Sequence, residues 1–414
     1  MTKQDKKTGK GVMPLEGIRI IDWTLWQLGA VATAMLGSWG AEVIKLEERT
    51  GDPSRGTRRI RGLPAALPGG RNVTHEMYSR NKKSVTVDLK KPEGKEIVYR
   101  LVEKSDVFVQ NRRPGAARRI GLDYQTLSKY NKKLIYATGS GFGLKGPDAN
   151  MLAMDFLGIA RSGVMFTARG QDKPPEIFGV GTADQIGAIF LAYGIMTALV
   201  ARERLGIGQE MDVSHLGSMI ALEELGVTAT LLTNLSFPEQ IREKALNPLW
   251  NCYQCRDGKW IALGHFQPDP YWPRLCRALK LEHLINDPKF HDYEAKEQHN
   301  EELIRILDEV FRTRTRPEWL TILGKEDLIY CEVNTFNDLA QDPQVIANKY
   351  VEEFDHDVLG KIKLVGSPVK LSRTPAIPTR TRAPELGEHT EQVLLDIAGY
   401  SWEDISNLRD KEVI

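Results

Sequence analysis

Cysteine is scarce in this chain, with four in 414 residues, at positions 252, 255, 276 and 331. Most of the chain has no possible disulfide partner, which excludes a disulfide-stapled fold and suits a reducing, cytoplasmic compartment. Charge of one sign is also lacking: 56 Lys and Arg stand against 55 Asp and Glu. The resulting formal +1 gives no overall pull toward nucleic acid or an anionic membrane. The longest uncharged apolar run, Ile186–Val200, falls short of the ~20 residues that span a bilayer. Met1–Gly11 is polar and Lys-rich with no apolar segment behind it, so it reads as a frayed tail and not as a signal peptide. Walker, GxSxG and HExxH patterns are missing, as are repeats and low-complexity tracts.

What is present is an ordinary globular composition, 41% hydrophobic and 27% charged, long enough for one large core or two moderate ones. Ile18–Trp23 reads as a strand, Gly29–Trp39 as a helix and Glu42–Leu46 as a second strand, a βαβ unit with a parallel pair. Ser84–Leu89, Pro92–Lys104, Val107–Val109 and Leu134–Ala137 continue the alternation, which predicts an α/β, doubly wound, parallel-sheet domain of Rossmann type. Asp184–Arg204 is apolar on nearly every face and is expected to be a helix buried on all sides. A further helix is expected over Met211–Asn234, and a hairpin around Arg256-Asp257-Gly258. Strands near Val351–Phe354 and Ile362–Val365 and a helix near Thr390–Ala398 close the chain. The domains predicted are residues 1–205, the first part of the large domain; 206–234, a linker helix; 235–330, a smaller α+β domain; and 331–414, a return linker with the C-terminal part of the large domain.

Gly141-Phe142-Gly143-Leu144-Lys145-Gly146 is a literal GxGxxG, but Pro147-Asp148-Ala149-Asn150 follows where a dinucleotide site needs a helix. A glycine-rich turn near another ligand is the better reading. Cys252-x-x-Cys255, with His265 and Cys276 downstream, lacks the second pair that would complete a zinc site, so no metal is expected. Arg55, Arg58, Arg59, Arg61, Arg71, Arg80, Lys82 and Lys83 face one acid, Glu76, within their stretch, and Arg112, Arg113, Arg118 and Arg119 flank Pro114-Gly115. Both groups follow strands of the alternating region, where such sheets bind ligands, and they suit a compact phosphorylated ligand against the alternative of a solvated face. Asp184 reads first as the N-cap of the apolar helix, where the helix terminus favours its ionised form. Asp155 is a second acid near a helix start.

In combination and order, these stretches resemble the class III CoA-transferases, the family of formyl-CoA:oxalate and crotonobetainyl-CoA:carnitine transferases. The matching residues are Pro14–Asp22, Gly40–Glu47, Asn81–Ser84 with Asp88–Lys90, Pro92-Glu93-Gly94, Pro114-Gly115, Gly139–Gly143, Asp184, Ala383-Pro384 and Leu386–Thr390. The resemblance implies an interlaced, ring-like dimer, either a homodimer or a heteromer with a related subunit. It implies acyl-CoA and an organic acid as substrates, with no permanently bound cofactor, metal, nucleic acid or membrane. Asp184 matches the catalytic aspartate, which forms aspartyl mixed-anhydride and aspartyl-CoA thioester intermediates. Coenzyme A contacts fall at Trp26, Gln27 and Leu28, at Val87, Asp88, Leu89 and Lys90, at Asn111, Arg112 and Arg113, at Arg119, and at Leu152, Ala153, Met154 and Asp155.

Two departures stand out. Glu48 and Arg49 occupy places where a basic residue often follows the second strand, and no glycine-rich loop appears near Asn247–Trp250, which brings the chain closer to carnitine-type members. The related α-methylacyl-CoA racemases carry a His where this chain has Met154, which has no proton to exchange. A racemase-like isomerase and a non-catalytic CoA-binding subunit are the alternatives. Trp23 and Trp26, with Arg55, Arg58 and Arg59, suggest succinyl-CoA as donor and an aromatic or dicarboxylic acid such as benzylsuccinate as acceptor, unless the tryptophans are core residues.

Overall fold

A computed structural model describes residues 13–113 and 115–414; the basic tail Met1–Gly11 and Pro114 lie outside the described residues. Two compact units divide the chain, the first formed by Met1–Met165, Ile177–Asn234 and Asn348–Ile414, the second by Phe166–Glu176 and Leu235–Ala347.

The first unit is mixed α/β around a central parallel sheet. Its strands are β1 (Arg19–Trp23), β2 (Glu42–Glu47), β3 (Lys82–Thr86), β4 (Val107–Gln110), β5 (Ile135–Ser140) and β6 (Gln209–Ser214). They lie in the order β3-β2-β1-β4-β5-β6, so the winding reverses between β1 and β4. Register is continuous across the centre, with Ile21 opposite Ile44 on one side and Phe108 on the other. Alternate strand residues feed two cores, as the two-residue period requires. Ile21, Ile44, Phe108 and Tyr136 point to one face, and Ile20, Val43, Val107, Val109 and Ile135 to the other. Covering both faces explains why these strands read as nearly unbroken apolar runs.

Helices α1 (Leu28–Ser38), α2 (Val73–Ser79), α3 (Pro92–Glu103), α4 (Asp155–Arg161), α5 (Thr182–Leu205), α6 (His215–Leu222) and α7 (Glu224–Thr233) surround the sheet. α3 opens on Pro92, whose missing N–H costs nothing in a first turn. On its face of the sheet it is joined by α8 (Thr390–Asp396) and α9 (Trp402–Asp410), whose Val393, Leu394, Ile405 and Leu408 share a core with Val85, Ile97 and Leu101. The C-terminal segment is stitched to the first strands by hydrogen bonds. The His389 N–H donates to the Ser84 carbonyl at 3.0 Å, and the Asp88 N–H to the Val413 carbonyl at 2.7 Å.

α5 is long and apolar enough, by length and composition, to cross a membrane. Its Ala188, Leu191, Ile195 and Leu199 instead pack into the second sheet core. The expectation of burial on all sides is corrected: Ile189 is 49% exposed, Tyr193 67% and Val200 54%, so among the described residues that side of the helix is left open. Residues 211–214 also differ from the expected helix. Gln209-Glu210-Met211-Asp212-Val213-Ser214 pairs in parallel with β5, and the helical pattern begins only at His215. Between α6 and α7 the chain bends by 76°.

In the second unit, strands Trp250–Gln254, Trp260–Gly264 and Tyr330–Val333 form an antiparallel sheet with Trp260–Gly264 at its centre. Tyr253, Trp272, Phe290, Phe311 and Trp319 fill its core. Cys255 and Cys276 belong to that core, and all four cysteines are free. His265 accepts the Ile329 N–H at 3.0 Å, so it is committed to packing. Among the described residues, no group of three or more His, Cys, Asp or Glu is arranged to hold a metal.

Candidate active site

In a parallel sheet all carboxyl ends share one edge, and the residues singled out from the sequence gather there. Segment 24–27 follows β1, residues 87–91 follow β3, 111–113 follow β4, 141–154 follow β5, and His215 follows β6. Buried charges brace this edge. The Lys82 ammonium meets Asp22 at 2.7 Å with both side chains fully buried, and Lys45 meets Asp52 at 2.8 Å. Asp22 also accepts from the hydroxyls of Thr24 at 2.5 Å and Thr33 at 2.7 Å. Burial works to raise the Asp22 pKa, yet Lys82, Lys45 and the Thr24 hydroxyl hold it well below the usual carboxylate range.

This network accounts for much of the basic cluster. Arg55 pairs with Glu47 at 2.7 Å, Lys83 with Glu42 at 2.7 Å, and Arg71 with Glu76 and Glu385. Four of the eight bases are therefore paired with acids, most of which lie outside their stretch, and only Arg58, Arg59 and Arg61 are well exposed. Trp23 is core: it is 5% exposed, packs against Phe108 at 6.2 Å, and carries the Arg112 guanidinium over its ring at 4.9 Å. Trp26 differs, being 38% exposed with a left-handed φ of 59°.

Asp184 lies in the first turn of α5, whose N-cap is Gly181 in the left-handed conformation (φ 64°), so Asp184 is not the N-cap expected. Capping falls to Asp155, at the start of α4, whose Oδ1 accepts the Asp184 N–H at 2.9 Å. Burial raises the Asp155 pKa, as does the neighbouring Asp184 charge, while hydrogen bonds from the Asp184 and Ala183 amides and the nearby His215 oppose the rise. With its backbone N–H satisfied from α4, the Asp184 carboxylate is free to turn elsewhere. It meets His215, whose Nε2 is 2.9 Å from Asp184 Oδ1, and the two side chains are 10% and 16% exposed. Sequence reading missed His215, a lone histidine with no spacing signal. Gln27 abuts the same helix start: a Cβ on Gly181 would lie 2.9 Å from Gln27 Nε2. The Tyr78 hydroxyl donates to Gln27 Oε1 at 2.9 Å, which turns the amide NH2 away from Tyr78. Tyr78 is a second residue the sequence did not flag. Burial and the charges of Asp184, Asp52 and Asp155 push its pKa up, so it stays protonated and donating.

A half-buried carboxylate at a helix start, hydrogen-bonded to an imidazole and set beside an amide donor, can attack an acyl carbon and support the oxyanion that forms. The profile described as CoA-transferase family III matches residues 15–390. The chain belongs to that family. Two relatives are similar over nearly the whole length. One is an (R)-2-hydroxy-4-methylpentanoate CoA-transferase of Clostridioides difficile, 30% identical over 97% of this chain and 100% of the relative. The other is a succinyl-CoA–D-citramalate CoA-transferase of Chloroflexus aurantiacus, 31% identical over 97% and 98%. The crystal structure of a CAIB/BAIF family protein from Brucella suis matches with TM-score 0.82 and 25% identity, covering 94% of this chain and 100% of that one.

The other positions expected from the CoA-transferase resemblance divide by accessibility. Leu28, Val87 and Leu89 are core residues, and the Val87 and Asp88 N–H groups already serve Glu47 and Val413. Asn111 clasps Leu25 in both directions, donating to its carbonyl at 2.6 Å and accepting its N–H at 2.8 Å, and so fixes the approach to Trp26 and Gln27. Lys90, Arg113 and Arg119 are exposed, as are Leu152 and Met154, while Arg112 and Ala153 are half-buried. The GxGxxG segment runs as bends and turns with no helix before Asp155, consistent with a loop.

Proposed function

We propose that Asp184 is the nucleophile in a transfer of CoA from an acyl-CoA to a free carboxylic acid. The observation that carries this reading is the Asp184 carboxylate on the first turn of α5, with Oδ1 engaged by His215. The carboxylate attacks the donor thioester carbon and CoA leaves as thiolate, giving a mixed anhydride. The thiolate attacks the Asp184 carbonyl and expels the donor acid, giving an aspartyl-CoA thioester. The acceptor carboxylate displaces CoA from Asp184, and the thiolate then takes the acceptor acyl group, restoring the aspartate. CoA is held by the exposed bases Lys90, Arg113 and Arg119 and by Arg112, with Trp26, Gln27 and the 152–155 segment at the thioester end. Leu28, Val87, Asp88, Leu89 and Asn111 shape the loops that bring those groups together.

Succinyl-CoA is the proposed donor and a dicarboxylic acid the acceptor, with exposed Arg58 and Arg59 as candidates for the second carboxylate; the D-citramalate relative supports this pairing by its name. The aromatic component rests on Trp26 alone, since Trp23 is core. The apolar residues left open on α5 and α7, among them Tyr193, Leu225 and Leu232, support a dimer. The free thiols suit a cytoplasmic setting.

Asp184→Asn abolishes transfer while leaving CoA binding nearly intact, and hydroxylamine with an acyl-CoA inactivates the wild type at Asp184. A screen of acyl-CoA donors against organic acids, read by mass, assigns the pair. Full transfer by Asp184→Ala would sink the assignment, and α-proton exchange in deuterated water without an acceptor would mark an isomerase instead.

A further inference from the structure

His215 is built into the site more firmly than a chance neighbour. It is the first residue of α6, directly after β6, and Ser214 caps that helix by accepting the Gly217 N–H at 3.0 Å. Gly158 makes room for it, and Gly187 lies in ordinary contact with its ring. A Cβ on Gly158 of α4 would lie 2.5 Å from the His215 Cβ and 3.3 Å from the Ala183 Cβ, and one on Gly187 of α5 would lie 3.8 Å from the ring Cδ2. The His215 Cβ thus packs closely on α4 with α5 beside the ring, which sets the imidazole next to Asp184. Its Nδ1 is buried and has no hydrogen-bond partner among the described residues. A proton on Nδ1 would be a buried donor with no acceptor, whereas one on Nε2 has Asp184 Oδ1 at 2.9 Å. Of the two neutral tautomers this geometry favours the one with its proton on Nε2, donating to Oδ1 and leaving Oδ2 as the attacking oxygen.

Resting on the covalent reading above, we propose that His215 Nε2–H is the oxyanion donor for the carbonyl of Asp184 itself. The reaction has two kinds of acyl carbon. When Asp184 attacks the donor, or when CoA takes the acceptor acyl group, the oxyanion is on the substrate. When the CoA thiolate attacks the mixed anhydride at Asp184 Cγ, the C–S bond forms and the carbonyl π pair moves onto Oδ1. Collapse re-forms the carbonyl and expels the donor carboxylate together with Oδ2. When the acceptor carboxylate attacks the thioester at the same carbon, the pair again moves onto Oδ1, and collapse expels the thiolate. In both events the oxygen that gains charge is the one His215 already touches, so the donor is in place before the charge develops. Oxyanions on the substrate carbonyl fall outside its reach and are left to other donors, Gln27 Nε2 among the candidates. His215 therefore accelerates formation and breakdown of the aspartyl-CoA thioester, and leaves the first attack on the donor largely alone.

The test is rapid-quench mass analysis of Asp184 with each acyl-CoA of the donor panel, which resolves an acyl-linked from a CoA-linked aspartate. His215→Leu should slow appearance of the CoA-linked form, and kcat, by about 10²- to 10³-fold. His215→Gln, whose amide N–H reaches a similar distance, should recover at least tenfold of that loss. The proposal is overturned if the leucine variant forms CoA-linked Asp184 within threefold of the wild-type rate. It is equally overturned if the leucine and glutamine variants are impaired alike while their melting and CoA binding match the wild type. Should the leucine variant lose CoA binding, His215→Gln against the shorter His215→Asn decides: a faster glutamine variant supports the proposal and equal rates overturn it. Wild-type enzyme giving no CoA-linked Asp184 with any donor would instead bring down the covalent reading, and this proposal with it.

Discussion

Asp22→Asn removes one charge and little volume from a fully buried ion pair. Asp22 and Lys82 are both fully buried, 2.7 Å apart, and Asp22 takes three further hydrogen bonds from the Thr24 N–H and hydroxyl and the Thr33 hydroxyl. After the change Lys82 keeps the Ala30 carbonyl, at 2.7 Å, and at best a neutral amide oxygen, so its ammonium has no adjacent counter-charge, since Asp52 is bonded to Lys45. Breaking a buried pair from one side costs about 3–5 kcal/mol, a large part of the ~5–15 kcal/mol that holds a domain together. Removing both charges differs from removing one. Asp22→Asn/Lys82→Met leaves no stranded ammonium and should recover more than half of the loss. Urea unfolding followed by tryptophan fluorescence measures this, with Trp23 adjacent in sequence as a reporter in the sheet core. A single variant within about 1 kcal/mol of wild type, or a double variant as unstable as the sum of the two singles, would refute the reasoning.

Two further outcomes follow from groups near the same edge. Glu47 is buried, which works to raise its pKa, but Arg55, Lys45 and Ser84 bring it from the ordinary 4.5 down to about 2. A lowered folded pKa gives stability that is complete above pH 4.5 and lost as pH falls through about 2, here about 3 kcal/mol. Urea midpoints measured from pH 6 to 2 should fall accordingly in the wild type and lose that slope in Glu47→Gln, and parallel slopes in the two proteins would contradict the assignment. Gly158→Ala drives a methyl into the His215 Cβ; transfer should drop by roughly tenfold or more while CoA affinity, read by calorimetry, changes less than threefold. An alanine variant with wild-type kcat would show that the ring has slack.

The α/β alternation was readable because a parallel sheet buried on both faces writes itself as short apolar runs separated by helical periods, as Ile18–Leu46 does. Asp184 stood out only through the company of the other stretches, since one acid near a helix start carries no chemistry on its own. His215 could not be found the same way. Its partner is 31 residues away, and reading 211–234 as one helix hid the strand end that delivers it to the edge. The pairing of Gln209–Ser214 beside β5 is the signal that would have found it. Charge counting failed for a related reason. Arg55, Lys82 and Lys83 look unneutralised within their own stretch, but Glu47, Asp22 and Glu42 reach them from β1 and β2, which a local window does not see. For α5, an all-round apolar pattern does not say whether the cover comes from the same chain.

The covering of one sheet face by α8 and α9 has a consequence for synthesis. The Asp88 N–H waits for the Val413 carbonyl, and Val85, Ile97 and Leu101 wait for Val393, Leu394, Ile405 and Leu408. At roughly 5–20 residues per second, the interval between the two ends leaving the ribosome is on the order of tens of seconds. The second unit, almost contiguous in sequence, emerges within that interval and can fold while the first unit still lacks its lid of helices. For that time the nascent chain carries a sheet face only partly covered by α3, a natural substrate for a chaperone, and truncations that remove α8 and α9 should turn this passing vulnerability into a permanent one.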